Sequence, residues 1–412
     1  MKRSEDAKDR VTVMDNIPTE MYAWTLREGR LGEPKDAFKL ESVPIPSICD
    51  NEVLVRNMAT GVNYNGVWAA LGKPRNVVKA HHRYEEKQDF MICGSESSGI
   101  ICAVGKSVKR FKVGDEVICL GVQYDSECDV YKKFNDARVS TSFRIWGYEG
   151  NWGSYAQYSK VMELQCIHKP KSLTWQEAAA CTATGATVYN MLTHWEGNKI
   201  QKGDVVLVWG GAGGLGSSAI PLIKELGGIA VAVVSSEERG ERCLKIGANG
   251  YVNRSNFNHW GPVPGESLEN KDSYNHWLKN AIKFKRSIQK AAGVKQDPRI
   301  VLEHPGRDTL PTSIFVCDKK GMVVLCGATT GYTGTLDLRY LWLGIRRLQG
   351  SHAASTKDAQ DYIDILSQSK MTKEVQHIYE FEELAEVHQN LYKNNIGGGN
   401  IAINIGVGKD AE

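Results

Sequence analysis

Residues 205–216 read Val-Val-Leu-Val-Trp-Gly-Gly-Ala-Gly-Gly-Leu-Gly, and the fold turns on how this stretch is read. Five large apolar residues without polar alternation describe a strand buried on both faces. Gly211-Ala-Gly-Gly-Leu-Gly216 then matches G-x-G-x-x-G. In a chain holding 41 glycines the pattern alone is weak. Its place after a buried strand and before a helical segment at 217–226 gives it weight. Such a loop turns tightly, lets backbone N–H groups approach a pyrophosphate and aims the positive end of a helix dipole at it. Gly211, Gly213, Gly214, Leu215 and Gly216 are therefore assigned to a dinucleotide phosphate site. Ile229-Ala-Val-Ala-Val-Val supplies the next strand. The βαβ unit so formed predicts an α/β, doubly wound parallel sheet covered by helices.

About twenty residues beyond the loop, an NAD site would carry Asp or Glu to accept from the ribose 2′-OH. The sequence there is Val234-Ser-Ser-Glu-Glu-Arg239. The hydroxyls of Ser235 and Ser236, with Arg239 following, favour the 2′-phosphate of NADPH. Glu237 or Glu238 would be the ribose carboxylate if the strand ended two residues later.

With 412 residues the chain suits two domains rather than one core. The first half is β-rich, with short apolar runs such as Glu52-Val-Leu-Val-Arg-Asn-Met and Gly99-Ile-Ile-Cys-Ala-Val-Gly bounded by turn residues. The polar stretches 75–90 and 124–143 interrupt it and read as insertions or lids. At Thr174-Trp-Gln-Glu a capping box opens an Ala-rich helix. The expected division is a β-rich catalytic domain over 20–190, completed by 348–412, and a cofactor domain over 191–347. An insertion at about 255–290, with Pro262 and Pro264, interrupts the latter.

Several function classes are disfavoured. A net charge of +3 argues for no nucleic-acid partner. The basic run 279–290 has helical apolar spacing and reads as a solvated helix face, with phosphate contact the weaker alternative. Ten cysteines include no C-x-x-C pair, which disfavours zinc and redox dithiol sites and suits free thiols in a reducing cytoplasm. Neither a signal-like apolar segment nor a run of about 18 apolar residues occurs, so no membrane association is expected.

The β-rich first half, the glycine-loop second half and the long C-terminal return resemble the medium-chain dehydrogenase/reductase superfamily, which implies a GroES-like domain beside a Rossmann domain. Zinc members carry Gly-His-Glu where this chain has Gly94-Ser95-Glu96, and the four-cysteine lobe is missing. The resemblance therefore implies no metal. Within the superfamily the chain resembles the crotonyl-CoA carboxylase/reductases and related enoyl-CoA reductases. The matching stretches are Val62-Asn-Tyr-Asn-Gly-Val-Trp68, the segment 144–153 (RIWGYEGNWG), Val208 to Gly216, Leu302-Glu-His-Pro-Gly-Arg307, Arg339-Tyr-Leu-Trp342 and Gly350-Ser-His352.

That family passes a hydride from NADPH to the β-carbon of an enoyl-CoA. Some members carboxylate the resulting enolate with CO2; others protonate it. The resemblance implies a substrate such as crotonyl-CoA or acryloyl-CoA and a homo-oligomer, a dimer or a tetramer of two dimers. Its CO2 pocket, carried over residue by residue, falls on Asn65 (with Asn63 as alternative), Tyr148, Glu149 and His352. Tyr148 departs from the family's phenylalanine by one hydroxyl. Arg339 matches a position that binds the adenine-phosphate end of CoA.

The pocket chemistry is sensible in itself, since a carbanion carboxylates only where water is excluded and CO2 is held by hydrogen-bond donors. Trp146, Tyr148 and Trp152 would exclude water; Asn65 and His352 would donate. Structural readings stand beside these: His352 as a satisfied histidine, Asn63 and Asn65 as turn formers, Glu149 paired with Arg144, and Arg339 as a surface residue. His304 is read as structural. A quinone or alkenal reductase, or an NADPH-binding protein without catalysis, are the remoter alternatives.

Overall fold

The computed structural model describes residues 12–14, 17–84, 87–265, 271–373 and 375–406. Its centre is a six-stranded sheet ordered Gly250–Asn253, Ile229–Val234, Val205–Trp209, Ile300–Glu303, Met322–Leu325 and Arg347–Gly350. All five pairings are parallel. The order in which successive strands are added reverses at Val205–Trp209, with Ile229–Val234 on one side and Ile300–Glu303 on the other, which makes it the switch point where such sheets bind ligands. The apolar run of that strand is explained by its two neighbours. Val206 and Val208 face one core with Ala219 and Ile220 of the helix Gly214–Glu225, whereas Val205, Leu207 and Trp209 face another with Phe284 and Ile288.

Those last two residues lie on the helix Lys271–Ala292, within the segment expected to be an insertion. That expectation is corrected. The helix is the crossover between the strands Gly250–Asn253 and Ile300–Glu303, and its inward positions Trp277, Ala281, Phe284 and Ile288 recur every three to four residues. Pro262 and Pro264 precede it and never interrupt it. Its basic residues take the outward positions: Lys279, Lys283 and Lys290 are exposed, and Lys285 pairs with Asp297 at 2.5 Å.

The second sheet has eight strands, in the order Cys166–His168, Glu116–Cys119, Ser97–Val104, Glu52–Gly61, Asn400–Asn404 and Val375–Glu380, with two further strands paired off this path. The C-terminal chain therefore does return to the β-rich half, but later than 348. The parallel sheet continues to Gly350. The helix Thr356–Gln368 then packs on Thr182–Thr193 in the parallel sheet's core, through Tyr362 and Ile363 against Ala186 and Val188. A Cβ at Gly185 would overlap the Tyr362 ring, so this glycine inside a helix marks the crossing. Both helices sit with the cofactor sheet, across the expected boundaries at 190 and 348. Locally encoded features appear where they were read: Thr174 Oγ1 accepts from the Glu177 N–H at 3.2 Å, and Glu177 Oε2 accepts from the Thr174 N–H at 2.9 Å.

Candidate active site

The glycine loop leaves the sheet at Trp209 and enters the helix at Gly214, with Gly213 as N-cap residue. The Gly211 N–H still donates to the Val233 carbonyl at 3.1 Å, so the turn stays attached to the neighbouring strand. Close approach dictates the residue type. A Cβ at Gly211 would lie 2.6 Å from that of Ala232, and one at Gly216 would overlap the Gly211 carbonyl. The first-turn N–H groups of the helix, at Gly214, Leu215 and Gly216, have no intrahelical acceptors and point out of its N-terminus. Gly216→Ala should weaken dinucleotide binding at least about tenfold, because backbone must move to admit the methyl group; fluorescence titration with NADPH checks it.

Sequence reasoning missed what closes the loop from above. The segment Asn394 to Asn400, with its run of three glycines, comes from the β-rich half and lies against the phosphate loop. Gly399 N–H donates to the Ala212 carbonyl at 2.9 Å, and a Cβ at Gly398 would overlap the same oxygen. The Asn400 amide joins Ser218 at 3.1 Å and Thr184 at 3.1 Å. Gly397-Gly-Gly399 was the available signal, since consecutive glycines often mark backbone packed on backbone.

At the end of the strand Ile229–Val234, the structure brings Ser235, Ser236 and Arg239 together. Ser236 caps the helix Glu237–Lys245, accepting from the Arg239 N–H at 3.3 Å, and Arg239 Nη1 donates to Ser235 Oγ at 3.2 Å. Arg239 Nη2 reaches Asn394 Oδ1 at 3.2 Å. The Glu237 carboxylate is drawn away, accepting from Tyr251 OH at 2.8 Å and Asn253 Nδ2 at 2.8 Å. Glu238 is exposed. A cation and two hydroxyls stand at the strand end, and of the two candidate ribose carboxylates Glu237 is committed elsewhere. These residues fit a dinucleotide bearing a 2′-phosphate.

On the far side of the switch point, His304 Nε2 lies 3.1 Å from the Trp209 carbonyl. Glu303 beside it is fully buried and accepts from Gly306 N–H, Thr309 Oγ1 and Ser313 Oγ at 3.0, 2.7 and 2.5 Å. Burial pushes its carboxyl up to about 7 against these bonds. The Glu303-His-Pro-Gly turn is thus locked around a buried carboxyl.

The segment 144–153 forms a loop pinned at both ends by tryptophan. Trp146 is fully buried against Val53, Val55 and Ile101, and its Nε1–H donates to the Trp152 carbonyl at 2.8 Å. Trp152, at φ +62°, is buried in a different core and packs edge-on against Phe90 at 5.6 Å. Both are anchors, and among the three rings expected to exclude water only Tyr148 is part-exposed. Between the anchors, a Cβ at Gly147 would overlap the Gly94 carbonyl, which seats the loop on the Cys93-Gly-Ser-Glu96 segment.

That segment also positions Asn65. The helix Tyr64–Ala70 begins just after Asn63, and Asn65 Nδ2 donates to Ser95 Oγ at 2.9 Å. Ser95, in the place of a zinc-ligating histidine, is a hydrogen-bond partner. Among the described residues no three His, Cys, Asp or Glu side chains converge into a metal-holding group. Asn63 Nδ2 donates to Glu96 Oε1 at 2.5 Å, and Glu96 Oε2 accepts from the Ala183 N–H at 2.8 Å. Burial pushes the Glu96 carboxyl up to about 7, with both bonds opposing. Asn63 is therefore occupied in tying two elements together, which leaves Asn65 as the asparagine beside the loop.

Glu149 is held at two points: Oε2 accepts from the Ile145 N–H at 3.0 Å, and Oε1 pairs with Arg75 at 3.3 Å. Arg144, the partner in the alternative structural reading of Glu149, donates its Nε to Gln123 at 2.8 Å. His352 follows the edge strand. Its chain is fixed by Ser351, whose N–H reaches the Leu325 carbonyl at 2.8 Å and whose hydroxyl reaches Asn190 at 3.1 Å. The imidazole retains exposed surface and stands edge-on to Phe143 at 5.3 Å, from the expected lid 124–143. Partial desolvation lowers its pKa from the ordinary imidazole value, with Glu149 pulling upward and Arg138 downward. Tyr148 donates its hydroxyl to the Lys73 carbonyl at 2.8 Å, and burial raises its pKa.

Arg339 is held apart from this cluster. It lies on the short helix Leu338–Trp342, engages both carboxylate oxygens of Asp337 at 2.6–3.2 Å, and covers the Tyr274 ring at 5.9 Å.

A parallel six-stranded sheet with a glycine loop at its switch point, joined to a β-rich half that receives the C-terminal strands, defines a medium-chain dehydrogenase/reductase. The alcohol dehydrogenase GroES-like domain model matches residues 49–171. The chain is 43% identical over 390 residues to the crotonyl-CoA carboxylase/reductase of Cereibacter sphaeroides, covering 95% of this chain and 89% of that protein. It therefore belongs to the crotonyl-CoA carboxylase/reductase family. A solved crotonyl-CoA carboxylase/reductase, AntE in complex with NADP, superposes with a TM-score of 0.91 at 44% identity over 96% of this chain and 97% of that one. The 2-octenoyl-CoA carboxylase reductase CinF, in complex with NADP and 2-octenoyl-CoA, gives 0.85 at 31% identity over 96% and 90%.

Proposed function

We propose that this chain reduces a short-chain enoyl-CoA, crotonyl-CoA or acryloyl-CoA, with NADPH and carboxylates the α-carbon of the product enolate with CO2, giving an alkylmalonyl-CoA. The observation that supports it is the seating of the loop at Gly147 on Gly94, the neighbour of Ser95, which takes the Asn65 amide; in this reading Glu149 and His352 complete the pocket. NADPH would be held by the glycine loop from Gly211 to Gly216, with its 2′-phosphate on Ser235, Ser236 and Arg239. It supplies a hydride to the β-carbon of the thioester, leaving an electron pair on the α-carbon. The chain's own part is to hold CO2 at that carbon and to keep protons away from it. Asn65 Nδ2 and the His352 ring offer donors to the CO2 oxygens, which gain negative charge as the C–C bond forms. Glu149 orients the imidazole. Tyr148 covers the pocket.

Mixing the protein with NADPH and crotonyl-CoA, with and without bicarbonate and carbonic anhydrase, and weighing the products tests this reading. Ethylmalonyl-CoA as main product under CO2 supports it; butyryl-CoA alone would identify a reductase that protonates its enolate. Tyr148, with a phenol in place of a phenyl ring, is where this pocket departs from the family's.

Two further assignments accompany this one. All ten cysteines are unpaired, in keeping with a reducing cytoplasm, and no helix among the described residues is long and apolar enough to cross a membrane. Among the described residues the edge strand Arg347–Gly350 pairs on one side only, and Trp342, Leu343 and Ile345 beside it are 60–69% exposed. An open edge flanked by apolar surface suits strand pairing with a second copy. Leu343→Asp combined with Ile345→Asp should at least halve the sedimenting mass at micromolar concentration, as checked by analytical ultracentrifugation.

A further inference from the structure

We propose that Arg75 is a positioning residue for the carboxylation step, closing with the Lys73 carbonyl a two-point latch over the adjacent pocket residues Glu149 and Tyr148. The inference rests on the carboxylation reading above and goes beyond it to residues that carry no role there.

The geometry is a clasp of one short segment on another. Lys73 and Arg75, two residues apart, meet Tyr148 and Glu149, one residue apart: the phenol donates to the Lys73 carbonyl at 2.8 Å and the guanidinium meets Glu149 Oε1 at 3.3 Å. Either contact alone would be ordinary. A single half-exposed ion pair contributes little, and one phenol-to-carbonyl bond fixes only a ring. Together they fix the separation and orientation of two consecutive side chains. The base of the latch is firm, because Val77 and Val78, just after Arg75, are buried in the core that also holds Trp152.

Each contact has a chemical consequence. With Oε2 taken by the Ile145 N–H and Oε1 by Arg75, the Glu149 carboxylate cannot rotate. Its charge is thereby held in one place relative to His352. A phenol has one proton to donate, and here the backbone takes it. The hydroxyl that distinguishes this pocket from the family's phenyl ring is therefore not free to protonate the enolate. The segment thus answers the family departure at Tyr148: the extra hydroxyl becomes a strut to the neighbouring loop. Arg75 also lines a cavity of about 400 Å³ with Asn76, Lys79 and Ala80. The other cation there, Lys79, pairs with Glu28 at 2.5 Å and does not stand in for it.

Two measurements on the full-length protein with NADPH test the latch. Under saturating bicarbonate with carbonic anhydrase, Arg75→Ala should lower the ethylmalonyl-CoA to butyryl-CoA ratio about fivefold, while NADPH oxidation continues and KM for crotonyl-CoA moves less than about twofold. Arg75→Lys, which keeps the charge, should recover at least half of the loss. An unchanged product ratio in Arg75→Ala, with wild-type carboxylation intact, would overturn the proposal. Hydrogen exchange, which needs no CO2, provides the second readout: amides of 72–80 and of 145–150 should speed up together in Arg75→Ala and in Tyr148→Phe. Faster exchange in only one segment, or in neither, would overturn the latch. Should the wild type yield butyryl-CoA alone, the carboxylation reading fails while hydrogen exchange still decides whether the two segments are clasped.

Discussion

His352→Ala, turned over with crotonyl-CoA and saturating CO2, is expected to release mainly butyryl-CoA while still oxidising NADPH. Hydride delivery depends on the glycine loop and the strand-end cluster, none of which touches His352. The fate of the enolate is decided after that step, by whether CO2 or a proton reaches the α-carbon first. Removing the imidazole takes away a donor to CO2 and opens space for water, so both changes favour the proton. Loss of one donor to a developing oxyanion costs on the order of 10²–10³ in rate in acyl transfer. For neutral CO2 we expect a shift in product ratio of about tenfold to a hundredfold. Glu149→Ala should move the ratio in the same direction and by less, because the imidazole stays but loses the charge that orients it. If neither variant changes the ratio, His352 and Glu149 are structural residues.

The same pair predicts a pH effect. Desolvation sets the His352 pKa below the ordinary value of about 6.5, and Glu149 partly restores it. Above that depressed pKa the ring is neutral. As the pH falls through it the ring becomes an imidazolium, which is a proton source beside the α-carbon. The butyryl-CoA share should therefore rise on acidification, and in His352→Ala that rise should flatten. Product analysis across a pH series, with dissolved CO2 held constant, checks the slope.

What was legible in the sequence was what is encoded over a few residues. The strand, glycine turn and helix at 205–225 declare themselves because each needs its own residue types within a turn or two. The capping box that joins Thr174 and Glu177 is likewise local. Features that depend on distant approach were misread or missed. The helix Lys271–Ala292 passed for an insertion because two prolines precede it, although its inward spacing was present. That Trp146 and Trp152, two rings in one short loop, are each sunk in a separate core is visible only in the tertiary fold. The contact of Gly397-Gly-Gly399 with the phosphate loop joins positions nearly two hundred residues apart. The Lys73–Arg75 clasp crosses about seventy-five. No spacing rule reaches that far. The resemblance to a known family supplied Asn65, Glu149 and His352, whose individual chemistry gave no reason to prefer them over other asparagines, glutamates and histidines.

Arg239→Ala should weaken NADPH far more than NADH. A hydrogen bond to a charged group contributes about 1.5–3 kcal/mol, so the expected loss for NADPH is about tenfold to a hundredfold, with NADH changed less than about threefold. The asymmetry follows from what remains at the strand end. Without the guanidinium, Ser235 and Ser236 still offer hydroxyls to a phosphate, but two charges of the 2′-phosphate lose their counter-charge. NADH brings no such charge and meets only hydroxyls. The competing carboxylate is restrained: Glu237 is bound to Tyr251 and Asn253, and those bonds hold its pKa below the usual range. Releasing it should matter in the opposite sense. In Arg239→Ala combined with Asn253→Ala, Glu237 loses one tether and can swing toward the ribose, so NADH should gain on NADPH beyond the single variant. Titration of both cofactors against both variants decides this. Equal losses for the two dinucleotides in Arg239→Ala would place the 2′-phosphate elsewhere and return the ribose carboxylate role to Glu237 or Glu238.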